Sequence, residues 1–105
     1  MKKYISIITT TNTKKNANSI TEHILKSKLS PCVQRIPLIH SVFVWKNKLQ
    51  FEDEIMLIIK AKKSDGEEIK EHIKKIHKYE VPEIISYEFD ILSKKYEKWF
   101  KREEV

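Results

Sequence analysis

Two long extended segments joined by a short turn constrain the fold of this chain more than any other feature of its sequence. Residues 33–45 and 49–62 are rich in β-branched and aromatic side chains, which is typical of strands. The turn between them is Lys46-Asn47-Lys48, in which Asn tolerates the left-handed backbone conformation. Pro37 marks a bend, a bulge or an edge position in the first arm. The sequence therefore predicts a long central β-hairpin.

The rest of the chain alternates between strand and helix patterns. Strands are predicted at residues 4–10 and 81–91, and helices at residues 13–29, from 64 to about 77, and from about 93 onward. Thr13 or Asn12 can cap the first helix, and Ser64 with Glu67 matches a capping box for the second. This βαββαβ order with an extra C-terminal helix predicts an α+β, ferredoxin-like fold with a four-stranded antiparallel sheet. We expect residues 1–105 to form one domain.

The hairpin is apolar on both of its faces. The apolar side chains alternate between the faces, with Ile55, Leu57 and Ile59 against Met56 and Ile58, and Val42 and Val44 against Phe43 and Trp45. In a ferredoxin-like fold both long helices cover the same face of the sheet, so the other face should be polar in a monomer. Leaving several such side chains in water costs about 1.5–3 kcal/mol each. The sequence therefore predicts that the chain associates with copies of itself.

Composition excludes several classes of function. Gly66 is the only glycine, which excludes the glycine-rich phosphate loops of P-loop, Rossmann and kinase proteins. The longest apolar run, residues 55–59, is far shorter than the ~20 residues of a membrane span. Cys32 is the only cysteine, so no internal disulfide can form, as is usual in a reducing compartment. We expect a cytoplasmic protein with no membrane partner.

The net charge of +6 does not by itself indicate nucleic-acid binding. Lysine carries almost all of the positive charge, whereas recognition of phosphates and base edges favours arginine. The lysines also alternate with glutamates, as in residues 67–71, which is typical of a solvated helix face. An RNA-recognition module of the same topology would need exposed aromatic residues on its central strands, and residues 57–59 are aliphatic. We expect no nucleic-acid partner.

No group of residues predicts catalysis. The sequence suggests no Ser-His-Asp arrangement, and no side chain stands out as an activated nucleophile. Acylphosphatases share the βαββαβ order, but they need an arginine in an anion-binding loop after the first strand. Residues 9–13 contain neither arginine nor glycine. We expect that the chain is not an enzyme, although many functions share this architecture.

Several blocks of the sequence resemble the CutA divalent-cation tolerance family, and together they cover nearly the whole chain. Residues 31–37, with Cys32, lead into a turn at residues 45–48 that is similar to the family's Trp-Lys-Gly-Lys turn. Residues 52–55, residues 57–60 and the ending Tyr96-x-x-Trp99 are also similar. The strongest match is the run His77-Lys78-Tyr79-Glu80-Val81-Pro82-Glu83-Ile84, which looks like the family's His-Pro-Tyr-Glu-Val-Pro-Glu-Ile block.

The resemblance implies a tight homotrimer built by pairing long strands between subunits, which agrees with the two-sided apolar hairpin. It also implies a link to tolerance or binding of a divalent metal, usually copper, with no established reaction. The assembly would be similar to that of the PII-type signal proteins. An alternative function is therefore a PII-like protein that binds a small anionic ligand at the subunit cleft through lysines such as Lys60.

Cys32 and His77 are the candidate metal ligands, because thiolate and imidazole suit copper and zinc. Each has a structural alternative. Cys32 can act as a small buried hydrophobic residue, and His77 can complement the dipole at the end of the second helix. Lys78 replaces the family's proline and would disfavour a cation beside His77, whereas Asn47 in place of the family's glycine can still form the turn.

A second predicted site is a cleft between subunits. Its candidate residues coincide with the family's motif positions and are Trp45, Lys60, Tyr79, Glu83 and Trp99. Lys60 is the predicted partner of Glu83, because an unpaired buried charge is costly. The two tryptophans can instead serve as interface or core packing.

The remaining histidines and an acidic run have simpler interpretations. His23 and His72 are predicted at solvent or interface positions rather than as ligands, and His40 lies beside the hairpin. The run Glu52-Asp53-Glu54 is interpreted as a solvated strand start or as a source of salt bridges between subunits, although a hard cation would also prefer such oxygens.

Overall fold

Within the part of the chain that the structure describes, four strands form one antiparallel sheet, and three helices follow or connect them. The structure, a computed structural model, describes residues 3–102. The strands are β1 (Tyr4–Thr11), β2 (Cys32–Trp45), β3 (Lys48–Lys62) and β4 (Ile85–Phe89), and the helices are α1 (Lys14–Lys26), α2 (Gly66–Ile76) and α3 (Lys94–Phe100). The strand order is β2-β3-β1-β4, with antiparallel pairing throughout. The predicted ferredoxin-like α+β arrangement is confirmed.

Helix α1 begins where the sequence predicts and ends earlier. The Thr13 hydroxyl caps it by accepting a hydrogen bond from the backbone N–H of Asn16 at 3.2 Å. Residues Ala17, Ile20 and Ile24 are fully buried at the predicted helical spacing. The helix ends at Lys26 rather than Leu29, because Lys28 adopts a left-handed conformation with φ of 63°.

The predicted capping box of α2 is wrong. Residues Lys63–Asp65 form a short 3₁₀ turn, and Asp65, which precedes the helix, caps it with no side-chain hydrogen bond. Glu67 lies in the first turn of α2, where a negative charge is favourable beside the free N–H groups. Gly66 allows close packing at this point, since a Cβ there would lie 2.9 Å from Cδ1 of Ile5.

The hydrophobic core lies between the two long helices and one face of the sheet. The helices contribute three residues of α1 and Ile69 and Ile73 of α2, all fully buried. The sheet contributes residues of β1 and β3, namely Ile5, Ile7, Leu57, Ile59 and Ala61. We call this side of the sheet the helical face and the opposite side the open face.

The central hairpin is longer than the helical layer that covers it. Strands β2 and β3 pair from Cys32 with Lys60 to Trp45 with Lys48, and the register shifts between Ile36 and Ile39. This irregularity surrounds Pro37, as the sequence predicts. At the turn, Lys46 and Asn47 have φ of 52° and 65°, which is the pattern of a tight two-residue hairpin turn.

Four apolar side chains are exposed together near the hairpin turn. Val42 lies opposite Phe51, and Val44 lies opposite Leu49, so the four share one side of the ladder. Their exposed fractions are 57% for Val42, 68% for Val44, 61% for Leu49 and 72% for Phe51. Leu49 and Phe51 alternate in phase with the buried Leu57, so this patch lies on the helical side of β3 but beyond the helices. We call these four residues the hairpin patch.

The end of the chain differs from the sequence prediction in the length of β4. It pairs with β1 only from Tyr4 with Phe89 to Ile8 with Ile85, and residues 81–84 are not strand. Helix α3, capped by the Ser93 hydroxyl, packs Phe100 against Tyr4 on the open face, with ring centroids 5.3 Å apart. Among residues 3–102, no helix is long and apolar enough to span a membrane.

Candidate binding groove and its hydrogen-bond network

A groove of about 670 Å³ runs between the hairpin and the segment that follows α2. The open-face side chains of β1 and β3 form its floor, and β2 forms one wall. Its lining includes Thr10, Ser41, Trp45, Glu52, Glu54, Tyr79, Glu80 and Glu83. The groove therefore brings together residues that are far apart in the sequence.

Glu54 is buried in the groove, and each of its carboxylate oxygens accepts a hydrogen bond from a hydroxyl group. The Tyr79 hydroxyl donates to Oε2 at 2.6 Å, and the Ser41 hydroxyl donates to Oε1 at 2.7 Å. Burial and the hydrogen bond to this carboxylate raise the pKa of Tyr79 above its ordinary value, so Tyr79 remains a donor at neutral pH. The expectation of a solvated acidic run is wrong for Glu54, because its side chain lies on the open face, where it is buried and bonded to Ser41 and Tyr79.

The other two residues of the acidic run lie at the surface. Asp53 is exposed and lies 2.6 Å from Nδ1 of His40, which faces it across the hairpin. Glu52 accepts a hydrogen bond from the Asn12 side chain at 3.0 Å. Alternation along β3 therefore places Asp53 on the face opposite Glu52 and Glu54, so the three consecutive carboxylates do not converge on one point.

His77 is buried beside the groove, and both of its ring nitrogens are occupied. Nε2 lies 2.8 Å from the carbonyl oxygen of Thr10, and Nδ1 accepts a hydrogen bond from the backbone N–H of Tyr79 at 3.0 Å. One neutral tautomer, protonated at Nε2, satisfies both contacts. Burial lowers the pKa of His77 below its ordinary 6.5, although the Thr10 carbonyl and Glu54 act in the opposite direction. Neither nitrogen therefore has a free lone pair.

Cys32 lies elsewhere in the fold. It pairs with Lys60 at the far end of β3, whereas Thr10, which contacts His77, pairs with Met56. The rise of a strand places these two positions roughly 13 Å apart along the strand direction alone. One chain therefore does not bring Cys32 and His77 together. Within residues 3–102, no cluster of three or more His, Cys, Asp or Glu side chains is placed to hold a metal ion.

The predicted cleft residues fall into two groups. Trp45, Tyr79 and Glu83 line the groove together. Lys60 lies near the opposite end of β3 from Lys48, the partner of Trp45, about 40 Å away by strand rise. Trp99 lies at a smaller depression beside the end of α1. Lys60 and Trp99 could therefore join Trp45, Tyr79 and Glu83 in one cleft only if neighbouring chains supplied them.

The charge of the groove is negative. Four carboxylate residues line it, with no lysine or arginine among the lining residues: Glu52, Glu54, Glu80 and Glu83. Glu83 is exposed, and its predicted partner Lys60 is distant within the chain. Such a lining favours cations and repels anions. Sequence analysis predicted Tyr79 and Glu83 as residues of this site and missed Glu54 and Ser41. Only the pairing of the two hairpin arms shows that Glu54 and Ser41 meet.

Solved structures with the same architecture define the class of this protein. CutA1 from Oryza sativa superposes with a TM-score of 0.90 at 34% sequence identity, covering 95% of this chain and 92% of that one. CutA1 from the psychrotrophic bacterium Shewanella sp. SIB1 has a TM-score of 0.90 at 28% identity, covering 96% and 94%. The chain thus has a ferredoxin-like fold of the CutA1 type.

Sequence comparison identifies the family. Residues 5–103 match the model described as CutA1 divalent ion tolerance protein, so the chain belongs to that family. The chloroplastic protein CutA of Arabidopsis thaliana is 39% identical over 98 residues, which cover 93% of this chain and 52% of that protein. The divalent-cation tolerance protein CutA of Pyrococcus horikoshii is 32% identical over 94% of this chain and 96% of its own length. The chain spans about half the length of the plant and animal relatives that it matches.

Proposed function

We propose that this chain is a homotrimeric divalent-cation tolerance protein that assembles through its hairpin, binds a divalent metal such as copper and catalyses no reaction. The observation that carries the proposal is the exposure of the hairpin patch. Four apolar side chains in cross-strand contact stand in water in the single chain. Covering them with sister subunits recovers about 1.5–3 kcal/mol for each side chain.

The open face supports the same assembly. Ile36, Ile85 and Tyr87 are exposed there, and α3 covers only the end of the sheet near Tyr4. A sister hairpin laid across the uncovered part would remove both apolar surfaces from water at once. The family resemblance sets the proposed number of subunits at three.

The negative groove supports the cation part of the proposal. Its carboxylates would draw a divalent cation toward the assembly, whereas a small anion would be repelled. For this reason we favour a metal-related function over binding of a small anionic ligand, whose proposed lysine, Lys60, lies outside the groove. Lys60 could reach it only from a neighbouring chain.

Cys32 and His77 remain the proposed copper ligands. Because they lie apart, a site containing either residue would need further ligands from a neighbouring chain. His77 would also have to release the N–H of Tyr79 from Nδ1 before that nitrogen could bind a metal. We therefore expect Cys32, which lies at the start of β2, to contribute more to copper affinity than His77.

The test of this proposal is the molecular mass of the native protein in dilute solution, with and without copper. Sedimentation equilibrium should give three chains in both conditions, and a monomer would overturn the assembly. Equilibrium dialysis then measures bound copper for the wild type, Cys32→Ser and His77→Gln. Loss of copper in these variants would support their role as ligands, and unchanged binding would exclude it.

A further inference from the structure

Two histidine rings meet on the helical layer, outside the groove. Nε2 of His23 on α1 lies 2.7 Å from Nδ1 of His72 on α2, and the ring centroids are 4.8 Å apart. Each histidine directly precedes a fully buried isoleucine, Ile24 or Ile73. Packed helices rather than a loop therefore position the pair, as a preformed binding site requires. The sequence analysis predicted solvent or interface positions for both histidines and did not predict that they meet.

The hydrogen bond between the rings shows that one nitrogen of each ring is directed at the other. One imidazole donates and the other accepts, so the two facing nitrogens share one proton. A metal cation can bind between them once both nitrogens present a lone pair. That change requires only that the donor ring move its proton to its other nitrogen, and no proton is lost from the neutral pair.

The geometry needs little adjustment. Bonds of about 2.0–2.1 Å to a metal place two imidazole nitrogens about 3.3 Å apart at a tetrahedral angle. The rings would therefore have to separate by about 0.6 Å from their present 2.7 Å. His23 is exposed, and the His72 side chain is 27% exposed, so both rings can make this movement and water can reach the remaining coordination positions.

Glu68 favours the tautomer of His72 that such binding requires. Its Oε2 lies 3.9 Å from Nε2 of His72, one helical turn away on α2. A carboxylate on this side favours a proton on Nε2 and leaves the lone pair on Nδ1, which faces His23. Carboxylates commonly orient metal-binding histidines through a hydrogen bond, and the Glu68 side chain, which is 64% exposed, has to close the gap of 3.9 Å to form one.

We infer that His23 and His72 form a chelate for a first-row divalent transition metal such as Ni²⁺, Cu²⁺ or Zn²⁺, oriented by Glu68. Imidazole nitrogen suits all three ions. The chain supplies two ligands and water supplies the others, in keeping with the absence of any three-residue His, Cys, Asp or Glu cluster within residues 3–102. This site goes beyond the proposed function and is independent of it, because it includes neither His77 nor Cys32.

Titration calorimetry of the untagged, full-length protein with Ni²⁺ tests the inference. We expect one ion per chain in the wild type and a rise of the melting temperature on Ni²⁺ addition, because the ion links α1 to α2. Glu68→Gln should weaken binding about tenfold, as for other partners that orient a ligand. His23→Gln and His72→Gln each remove a ligand and should weaken binding further. The double variant should bind no more weakly than either single variant, since the chelate is already lost.

His40→Gln is the matched control, because His40 is an exposed histidine on the hairpin. Circular dichroism checks that each variant keeps its fold. Unchanged Ni²⁺ affinity in His23→Gln or His72→Gln would overturn the inference. So would loss of Ni²⁺ binding in His77→Gln or Cys32→Ser with the two-histidine variants unaffected, a result that would leave the proposed function standing.

Discussion

The Tyr79 hydroxyl donates a hydrogen bond of 2.6 Å to the buried carboxylate of Glu54, joining the segment after α2 to the middle of β3. The Ser41 hydroxyl satisfies the second oxygen of the same carboxylate. A buried carboxylate destabilises the folded state unless such donors form hydrogen bonds to it. This contact therefore holds the end of the groove in place.

Removing the Tyr79 hydroxyl should destabilise the protein. Tyr79→Phe leaves one oxygen of Glu54 without its donor, which costs about 1–3 kcal/mol of unfolding free energy. Urea denaturation at a fixed protein concentration measures the change. Tyr96→Phe is the control, since Tyr96 lies on α3 away from Glu54 and is 36% exposed, and its effect should remain within about 0.5 kcal/mol. Equal effects of the two changes would contradict the importance of the contact with Glu54.

His77 should make stability depend on pH. The unfolded imidazole binds a proton near pH 6.5, whereas burial lowers the pKa of the folded form. Between these two pKa values the unfolded state binds more protons, so the free energy of unfolding falls as pH decreases below about 6.5 and levels off below the folded pKa. Denaturation curves measured at a series of pH values should show this slope in the wild type.

The matched variants identify the source of the slope. His77→Gln should lose it, together with some stability at neutral pH, because the hydrogen bond to the Thr10 carbonyl is weakened. His40→Gln changes an exposed histidine and should retain it. A slope that survives in His77→Gln would assign the pH dependence to another group.

A polar substitution in the hairpin patch should break the assembly. Phe51→Ser removes the most exposed of the four side chains and places a hydroxyl where a sister subunit would make apolar contact. Sedimentation velocity should then show dissociation at concentrations at which the wild type remains associated. Leu25→Ser, an exposed leucine on α1 away from the hairpin, should leave the mass unchanged. Dissociation of both variants, or of neither, would argue against the hairpin patch as the contact.

Replacing Asn47 in the hairpin turn by alanine should lower the stability of the protein, whereas replacing it by glycine should not. Asn47 has a φ of 65°, a conformation that costs most residues about 1–2 kcal/mol. Asn47→Ala should therefore lower the free energy of unfolding by about 1 kcal/mol, whereas Asn47→Gly should not. Thermal denaturation of the two variants side by side checks the prediction. An equal loss in both would show that the Asn side chain, rather than the backbone conformation, stabilises the turn.

The elements governed by local chemistry were predictable from the sequence. The Thr13 cap, the irregularity at Pro37 and the turn at Asn47 each follow from what one side chain allows its own backbone to do. The same reasoning failed at Ser64, where a 3₁₀ turn precedes α2 and leaves the expected cap outside the helix. It also overextended β4, because the Thr10 carbonyl accepts from His77 instead of from a longer strand.

The site was less predictable, because its contacts depend on how distant segments meet. Glu54 looks like one of three equivalent carboxylates in the sequence, and only the pairing of the hairpin arms shows that it faces Ser41 and Tyr79. The meeting of His23 and His72 likewise depends on the relative rotation of two helices, which hydrophobic spacing fixes only approximately. Trp45, Tyr79 and Glu83 were placed together by family motifs rather than by any rule of local structure.

The exposed hairpin patch also has a genetic consequence. In an assembly of identical chains, one codon supplies every copy of the contact, so a harmful substitution is repeated at each junction. When normal and altered chains are made in the same cell, a chain that cannot associate stays out of the shared particles, whereas a chain that still associates enters most of them. A lesion at Phe51 that abolishes association should therefore behave as recessive, whereas a lesion in the groove that spares association should act dominantly.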